Sequence, residues 1–407
     1  MLAVASKEQL YLIFLMLEVK IHWYTQIDNI EYTNFHLHWY THFKIYRVYQ
    51  MKYLPQSTQT IYSSLLQKLQ DSRFALLNNV GFSKKEKNGI TNWYCQYTDI
   101  SGKRKQRFIG PESPATNALK AQIIENQHSC QEILNERSRM VAMVSAGGAN
   151  MEKGQPAKII QKLSDAGVFD NGGILIGSYA FSTYGNLLGV VFDESMRRTE
   201  DMDMAYDSSI EIGFVANIKE DIEEAYPGMA EPKQINPWVP PYEMIAPDGF
   251  KIEFLTARTN PGDKAPVRIE RFEINAQPLE YLDYLIEEQT EAAVLYGSGV
   301  LVNVPNPARF AIHKLAVSQL RQPGNTEKRA KDISQATALI EYYLVENPGA
   351  LMLASDAART RGDSLHTFIA DGIKSMKNVE VAKQFEVIWN AASPITPSNW
   401  DKPKQTF

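Results

Sequence analysis

The distribution of apolar and polar positions divides the chain into four stretches. Residues 1–50 are dense in aromatic residues but keep neither the period of a helix nor that of a strand. Residues 51–150 change from helical spacing to a hairpin pattern and back, and residues 151–305 alternate short apolar runs with helical ones. Residues 306–407 keep helical spacing, which predicts a bundle of helices.

The first stretch, residues 1–50, predicts an appendage. Four of the seven histidines lie in it, but no cysteine or paired carboxylate joins them as a metal-ligand set. Met51 begins a more ordinary pattern, in which Ser57 or Thr58 is a candidate cap for a helix that carries Leu65. We therefore interpret residues 1–50 as a segment that is disordered or translated from an upstream start codon.

Residues 51–150 predict a helix-hairpin-helix module. Two aromatic-rich runs in residues 92–109 flank a Ser-Gly turn, which is the pattern of a β-hairpin, and the second run is basic. A helical stretch over residues 115–143 leads into the glycine-rich stretch 145–158, which has the composition of a linker. We therefore expect a domain boundary near residue 150.

Residues 151–305 predict an α+β core with a mixed β-sheet. Its short apolar runs predict strands at 174–176, 202–205, 243–246 and 251–255, and a hairpin at 292–304. The helical stretch 306–407 is expected to form a separate C-terminal domain that closes one side of the core.

Composition narrows the class of protein. The chain has 407 residues and only two cysteines, without CxxC spacing, which excludes a zinc ribbon or a disulfide framework and favours a reducing compartment. A net charge of -5 argues against binding a polyanion over the whole surface. No uninterrupted apolar run reaches the length of a membrane-spanning helix, about 20 residues. We expect a cytoplasmic protein without membrane contact.

A phosphate-binding turn is predicted where the apolar run 174–176 ends. Gly177 removes a side chain that would keep a phosphate from the backbone, and Ser178 offers a hydroxyl and an N–H at the positive end of a following helix. This geometry suits the triphosphate of an NTP.

Two aspartates downstream form a candidate metal site. Asp201 and Asp203 alternate with two methionines, so on a strand both carboxylates project from one face while both methionines enter the core. Like charges side by side repel each other unless a cation lies between them. Carboxylate oxygens at this spacing suit Mg²⁺ or Mn²⁺.

The order of these elements resembles the nucleotidyltransferase superfamily, which includes polymerase-beta-like enzymes, CCA-adding enzymes and aminoglycoside nucleotidyltransferases. Residues 176–178 (Ile-Gly-Ser) match the first motif of that family and residues 201–203 (Asp-Met-Asp) match the second. The family carries a third acid on a later strand. Glu253 is the best match, because its neighbours in the sequence are apolar and point away into the core. The resemblance covers residues 172–256 and implies that the three acids are catalytic metal ligands.

Two features depart from the family pattern. The third acid is Glu where Asp is commoner, and 22 residues lie between Ser178 and Asp201, more than the family usually leaves. We interpret residues 184–198 as a loop insertion, whose Arg197 and Arg198 are candidates to reach phosphate oxygens.

A second resemblance lies in the helical region. Residues 306–340 are similar to helices of abortive-infection type nucleotidyltransferase toxins, in which a Lys and a Lys-Asp pair flank the active site. Lys314 matches the first, and Lys331 with Asp332 matches the second. Arg321 lies seven residues after Lys314 and shares its helix face, so both are candidates for phosphate contact. An ordinary solvated face is an equally good interpretation.

These features predict a metal-dependent enzyme that moves an NMP from an NTP to an acceptor hydroxyl on RNA, a protein or a small molecule, and releases pyrophosphate. The alternative is a non-catalytic nucleotide-sensing or RNA-binding module of the same fold. Lys103, Arg104, Lys105 and Arg107 beside the hairpin aromatics are candidates for RNA contact, although a solvated hairpin face shows the same pattern. From Met51 onward the chain also resembles uncharacterised bacterial nucleotidyltransferase-like proteins.

Overall fold

Most of the predicted strands and helices are present, in an α+β arrangement with a mixed sheet. The computed structural model describes residues 51–73, 78–87, 89–98, 104–126, 130–197, 199, 201–206, 217–233, 238–260 and 262–392. Residues 1–50, predicted to be an appendage, lie outside the described residues, as do Lys103 and Arg198. The elements named here belong to one of two units of the chain, Lys52–Phe407.

The helices of the described residues are α1 Gln56–Asp71, α2 Pro114–Asn126, α3 Cys130–Ala146, α4 Gly154–Asp165, α5 Gly177–Leu188, α6 Ile218–Ala225, α7 Leu282–Ile286, α8 Pro307–Leu320, α9 Thr326–Glu346, α10 Pro348–Arg359, α11 Asp363–Lys374 and α12 Val379–Ala391. The strands are β1 Asn78–Lys87, β2 Ile90–Thr98, β3 Arg104–Pro111, β4 Gly173–Ile176, β5 Asp201–Tyr206, β6 Glu243–Ile245, β7 Lys251–Ala257, β8 Val267–Ile269, β9 Ile274–Leu279, β10 Gln289–Val294 and β11 Val300–Pro305. No helix among these is both long enough and apolar enough to cross a membrane.

The predicted hairpin of residues 92–109 is confirmed as the antiparallel pair β2–β3, in which Cys95 lies opposite Arg107. A further strand, β1, pairs with β2 and completes a three-stranded sheet that the sequence pattern does not predict. The helical stretch expected over residues 115–143 is present as two helices, α2 and α3.

Helix α1 begins one residue earlier than its candidate caps. Pro55 occupies the N-cap position, and its side chain, which has no hydrogen-bonding atom, makes no cap hydrogen bond. Thr58 lies inside the helix and is buried against Gly147. A Cβ at Gly147 would lie 1.9 Å from the Thr58 hydroxyl oxygen. The prediction that Ser57 or Thr58 caps the helix is therefore wrong.

The glycine-rich stretch between α3 and α4 is held in place by side chains of α5. Asn186 accepts a hydrogen bond from the Asn150 backbone N–H at 2.8 Å and donates one to the Asn150 carbonyl at 2.8 Å. Ala149 is buried in the cluster that α1 and α3 form. The stretch is thus a packed connection, while the predicted division into modules at residue 150 stays a prediction.

The central sheet has the strand order β4-β5-β7-β9-β8, and β6 pairs with the first half of β7. Strand β4 runs antiparallel to β5, whereas β5, β7 and β9 run parallel to one another. Met202 and Met204 of β5 are fully buried, as their alternation with the aspartates predicts. The predicted hairpin of residues 292–304 is confirmed as the pair β10–β11.

From Pro307 to residue 392, where the described part of the chain ends, five helices follow one another, and the helical spacing predicts an all-helical stretch here. In α9, Ile333, Ile340 and Leu344 form the buried stripe expected for a helix that begins at Thr326. Helix α8 packs closely against α11. This is possible because the α8 backbone occupies the space that a side chain at Gly372 would need.

Candidate active site

The turn from β4 into α5 brings the predicted phosphate-binding motif next to the second aspartate. Gly177 has φ +63°, a backbone conformation that favours glycine, and it opens α5. A Cβ at Gly177 would lie 2.3 Å from Asp203 Oδ2, so the carboxylate occupies the space that the missing side chain leaves. Ile176 lies opposite Asp203 in the β4–β5 ladder, which fixes this approach.

Four carboxylates share one face of the sheet, which we call the acid face: Asp201, Asp203, Glu243 and Glu253. Asp203 and Glu253 are paired positions on the parallel strands β5 and β7, and Glu243 of β6 is paired with Glu253 on its other side. Since side chains of a strand alternate between faces, Asp201 projects on the same side as Asp203. The structure therefore brings together the three acids that the resemblance implies, and adds Glu243.

Two lysines counter part of this negative charge. Lys328, near the start of α9, places its Nζ 2.6 Å from Asp201 Oδ2, and Thr199 donates to the other oxygen of Asp201. Lys251 lies opposite Asp201 in the β5–β7 ladder and donates to Glu253, with Glu243 Oε2 at 4.0 Å. The acid face thus carries four carboxylates and two lysines in direct contact with them.

The aspartates differ in their electrostatic surroundings. Burial opposes ionisation of Asp201, but hydrogen bonds from Lys328 and Thr199 outweigh it and lower its pKa from 3.8 to about 2. Burial, followed by the charges of Glu253 and Asp201, raises the pKa of Asp203 from 3.8 to about 6. Within the described residues, no side chain donates a hydrogen bond to the Asp203 carboxylate. Asp203 is therefore the acid in this centre that most lacks a positive partner.

These residues fit a divalent cation. Hard carboxylate oxygens are the ligands that Mg²⁺ and Mn²⁺ prefer, and Asp203 beside Glu253 is destabilised as long as no cation lies between them. Among the described residues, no group of three or more His, Cys, Asp or Glu side chains is gathered as a ready metal site. Lys328 and Lys251, which hold two of the acids, are the groups that a metal ion would have to displace.

The cations predicted on α8 meet a buried acid on α9. Lys314 Nζ lies 2.6 Å from Asp332 Oδ1, and Arg321 Nε lies 2.9 Å from Asp332 Oδ2. Asp332 is fully buried, and its pKa is lowered because these two cations outweigh the effect of burial. In this structure Asp332 therefore joins α8 to α9, and the predicted contacts of these residues with phosphate stay predictions.

Lys331 lies close enough to the aspartates for their charges to affect its titration. Burial and the neighbouring Lys314 lower its pKa, while Asp201 and Asp332 act in the opposite direction. His313 is buried, which lowers its pKa to about 3 and keeps it neutral.

The predicted loop insertion at residues 184–198 is wrong in its first part, since α5 continues to Leu188. A short 3-10 turn, Glu194–Met196, then leads towards β5. Arg197 lies in a cavity beside the second half of α5, which contains none of the four acids. Arg198 lies outside the described residues, so its predicted phosphate contact is not described by the structure.

The basic strand of the hairpin faces acids of the core. Arg107 is buried and pairs with Asp170, and Lys105 pairs with the buried Asp221. Arg104 is exposed and donates to Gln96 at 3.2 Å. Two of the four cations that were candidates for RNA contact therefore hold the hairpin on the core, and RNA binding stays a prediction.

The sequence does not identify three charged residues at the acid face: Lys251, Glu243 and Lys328. Lys251 and Glu253 are two residues apart on one strand, so the alternation that identifies Glu253 also puts Lys251 on the same face. The position of Glu243 depends on the pairing of β6 with β7, and the position of Lys328 depends on the docking of α9. The sequence carries no local pattern for either contact.

Residues 155–359 match a family model described as nucleotidyltransferase, and this stretch covers half of the chain, including β4, α5, β5, β7 and α9. Among solved structures, the chain is similar to an antigenic nucleotidyltransferase-like protein from Paracoccidioides brasiliensis, with 17% identity and a TM-score of 0.32 over 56% of this chain and 89% of that chain. No curated protein matches the sequence.

Proposed function

This chain belongs to the nucleotidyltransferase family, and we propose that it transfers an NMP from an NTP to an acceptor hydroxyl, with release of pyrophosphate, in a metal-dependent reaction. The membership confirms the resemblance seen in the sequence. The observation that carries the proposal is the pairing of Asp203 with Glu253 on parallel strands, directly beside Gly177 at the start of α5.

The first turn of α5 is the proposed cradle for the triphosphate. The N–H groups at the start of a helix have no intrahelical partners, and no side chain caps this one. A phosphate oxygen can accept from them and gains from the positive end of the helix dipole. Ser178 adds a hydroxyl at this end and is buried, which limits competition from water.

Asp201, Asp203 and Glu253 are the proposed ligands of Mg²⁺ or Mn²⁺. When bound, such an ion neutralises phosphate charge and makes a hydroxyl near it more acidic. The chain contributes the fixed spacing of the carboxylates, because all three lie on adjacent strands of one sheet. Metal affinity is therefore expected to depend on the sheet and not on a loop.

The acceptor proton is proposed to pass to Glu253. Asp201 is a poor base, because Lys328 and Thr199 stabilise its ionised form. Glu253 is held by Lys251, which also has Glu243 within 4.0 Å and can pair with that carboxylate once Glu253 takes up the proton. Lys251 would then balance the charge on this side of the sheet.

Lys328 and Lys331 are the cations best situated to meet departing pyrophosphate. Lys328 reaches Asp201 while its side chain stays about half exposed, at 47%. The side chain therefore has room to turn from the carboxylate to a phosphate oxygen. Lys314 and Arg321 would act indirectly, since Asp332 holds both.

A labelling experiment tests the proposal. The purified chain is incubated with each α-labelled NTP, Mg²⁺ or Mn²⁺ and total cell extract, and the fraction that retains label identifies the acceptor class. Pyrophosphate release separates transfer from the alternative, a module that only binds nucleotide or RNA. Label transfer without dependence on a divalent ion would contradict the metal assignment.

A further inference from the structure

A second, smaller cavity lies beside the latter half of α5. Its volume is about 260 Å³, and it is lined by two cations, Arg197 and Lys153, by polar side chains that include Asn150 and Ser182, and by no carboxylate. The Nε of Arg197 is buried and has no hydrogen-bond partner among the described residues. A guanidinium in that state favours an anion, because its buried Nε–H needs an acceptor.

The charge of this cavity differs from that of two larger ones in the described residues. A groove of about 780 Å³ between α1 and α3 contains Lys68 with Asp71 and Glu136. A cavity of about 390 Å³ beneath the three-stranded sheet contains both arginines and aspartates, several of them paired with each other. Of these three cavities, the one at Arg197 is lined by cations without acids, and two of its wall residues, Asn150 and Ser182, donate to the neighbouring Glu152.

The walls of this cavity are already fixed. Asn186 holds the Asn150 backbone through both its side-chain groups, and the Ser182 hydroxyl donates to Glu152 Oε1 at 2.5 Å. Gly185 allows the chain after α5 to pass close by, since a Cβ there would lie 2.9 Å from the Val190 carbonyl oxygen. A preformed cavity binds a ligand without first paying the cost of ordering its walls.

The cavity is close to the acid face but separate from it. Ser182 lies one helical turn after Ser178, a displacement of about 6 Å along α5. On the other side, Gln335 of α9 donates to the Met196 carbonyl at 2.7 Å, seven residues and about 10 Å along the helix from Lys328. One extended ligand, or two neighbouring ligands, can therefore span both places.

We propose that the cavity at Arg197 is a phosphate-binding subsite, distinct from the triphosphate cradle at the start of α5. The inference rests on the proposed function and deepens it, because the phosphate belongs either to the acceptor or to the NTP itself. Arg197 donates to the phosphate oxygens, and Lys153 adds charge at the exposed rim. The volume suits a phosphate with part of a sugar, being smaller than a pocket for a whole drug-sized ligand.

Calorimetric titration of the full chain with AMP in EDTA tests the subsite without the metal centre. We expect adenosine, which lacks the phosphate, to bind about tenfold more weakly than AMP or not at all. Arg197→Gln is expected to weaken AMP binding about tenfold, and Lys153→Gln about threefold, because the exposed charge is screened by solvent. Arg139→Gln, which removes an exposed arginine elsewhere, is the matched control and is expected to bind AMP like the parent.

Further variants separate this site from the acid face. Asp203→Asn is expected to leave AMP binding in EDTA within about twofold of the parent. If Ser178→Ala weakens AMP binding while Arg197→Gln and Lys153→Gln do not, the phosphate binds at the start of α5 and the proposal is wrong. Failure of the parent to bind AMP also overturns it. Pyrophosphate release by the parent is measured separately, so loss of this subsite and loss of the proposed transfer are distinguished.

A competition experiment identifies the source of the phosphate. If it belongs to the acceptor, AMP still binds when the enzyme is saturated with a non-hydrolysable NTP and Mg²⁺, and Arg197→Gln raises the KM for the acceptor. If it belongs to the NTP, the analogue displaces AMP, and Arg197→Gln weakens binding of the analogue itself. In both cases Lys153→Gln has the smaller effect in the same direction.

Discussion

The acid face and the cluster beneath the three-stranded sheet both gather charged side chains, but they balance charge differently. In the second cluster, which we call the joint, Arg107 pairs with Asp170, Lys105 with Asp221, and Arg73 with both Asp170 and Glu291. Three cations there meet three acids. On the acid face, two lysines meet four acids, and Asp203 has no donor among the described residues.

From this difference we interpret the joint as a structural cluster and the acid face as a candidate ligand site. Every ion pair of the joint connects elements far apart in sequence, so its charges fix the hairpin and α1 on the core. The uncompensated charge of the acid face does not stabilise the chain by itself and is retained at a cost unless a cation binds. A charged cluster with unequal charges is therefore the better candidate for a ligand site.

The largest expected effect is that of Asp203→Asn on transfer. Asparagine keeps the volume but loses the charge that attracts a divalent ion, so the rate is expected to fall about a thousandfold or more. The rate of pyrophosphate release from a γ-labelled NTP measures it. Transfer at a rate near that of the parent would remove the acid face as the catalytic centre and erase the contrast with the joint.

The same substitution has an opposite effect on the metal-free protein. Folding raises the pKa of Asp203 to about 6, so the native state binds this proton more tightly than the unfolded chain does. The parent in EDTA should therefore lose stability relative to Asp203→Asn as the pH rises from about 4 to about 6, by on the order of 1–3 kcal/mol. Thermal melts across this pH range measure the difference, and Mg²⁺ should reduce it at pH 7.

In the joint, Asp170→Asn should lower the stability of the protein and leave the rate of transfer unchanged. Loss of this carboxylate leaves the buried Arg107 without its main partner, which is expected to cost about 3 kcal/mol of unfolding free energy. Transfer by the folded protein should stay near that of the parent. Denaturant titration measures the loss, and Arg107→Met combined with Asp170→Leu should recover part of it, because no charge then remains buried. An unchanged stability of Asp170→Asn would contradict a structural role for the joint.

Gly177→Ala tests how closely the two motifs of the active site depend on each other. The added Cβ meets Asp203 Oδ2 and is strained by the positive φ, so we expect about 2 kcal/mol of destabilisation and about a hundredfold slower transfer. In an Asp203→Ala background the clash is absent and only the cost of the backbone conformation should remain. A double-mutant cycle measures the coupling. Equal costs in both backgrounds would mean that Asp203 does not occupy that space.

The smallest expected effect is that of Lys328→Met. Removal of this lysine frees Asp201, so the pKa of Asp201 should rise, and Mg²⁺ should bind a few-fold more tightly in the absence of NTP. Carboxyl NMR follows the pKa, and calorimetry follows the metal. Arg329→Met removes the neighbouring cation, which donates to Gln319 instead, and should leave both quantities unchanged.

The centre of the fold was predictable because its signal is local. The alternation of Asp201 and Asp203 with methionines specifies a strand, its buried face and its charged face within a few residues. The glycine of the β4–α5 turn is visible in the same way. These local patterns account for β4, β5 and β7, and for the grouping of the acids once the strands are known to be neighbours.

What the sequence missed depends on distant contacts. An amphipathic hairpin shows a basic face without showing whether that face meets solvent or the acids of the core, and Lys105 and Arg107 meet the core. The position of Lys328 depends on how α9 docks against the sheet. The extension of α5 to Leu188 was obscured because its glycine and its polar residues resemble a loop, although nearly all of them are buried.

The ladder between β5 and β7 fixes the distance between the acids that these strands carry. Neighbouring strands lie about 4.8 Å apart, so the main-chain hydrogen bonds set the separation of the Asp203 and Glu253 backbones. This separation does not depend on the surrounding side chains. A slip of one residue would turn Met204 towards Glu253 and bury a charge, which the core forbids. Changes in a connection such as residues 189–196, which contains neither an acid of this face nor Thr199, are therefore expected to leave the spacing of the carboxylates unchanged.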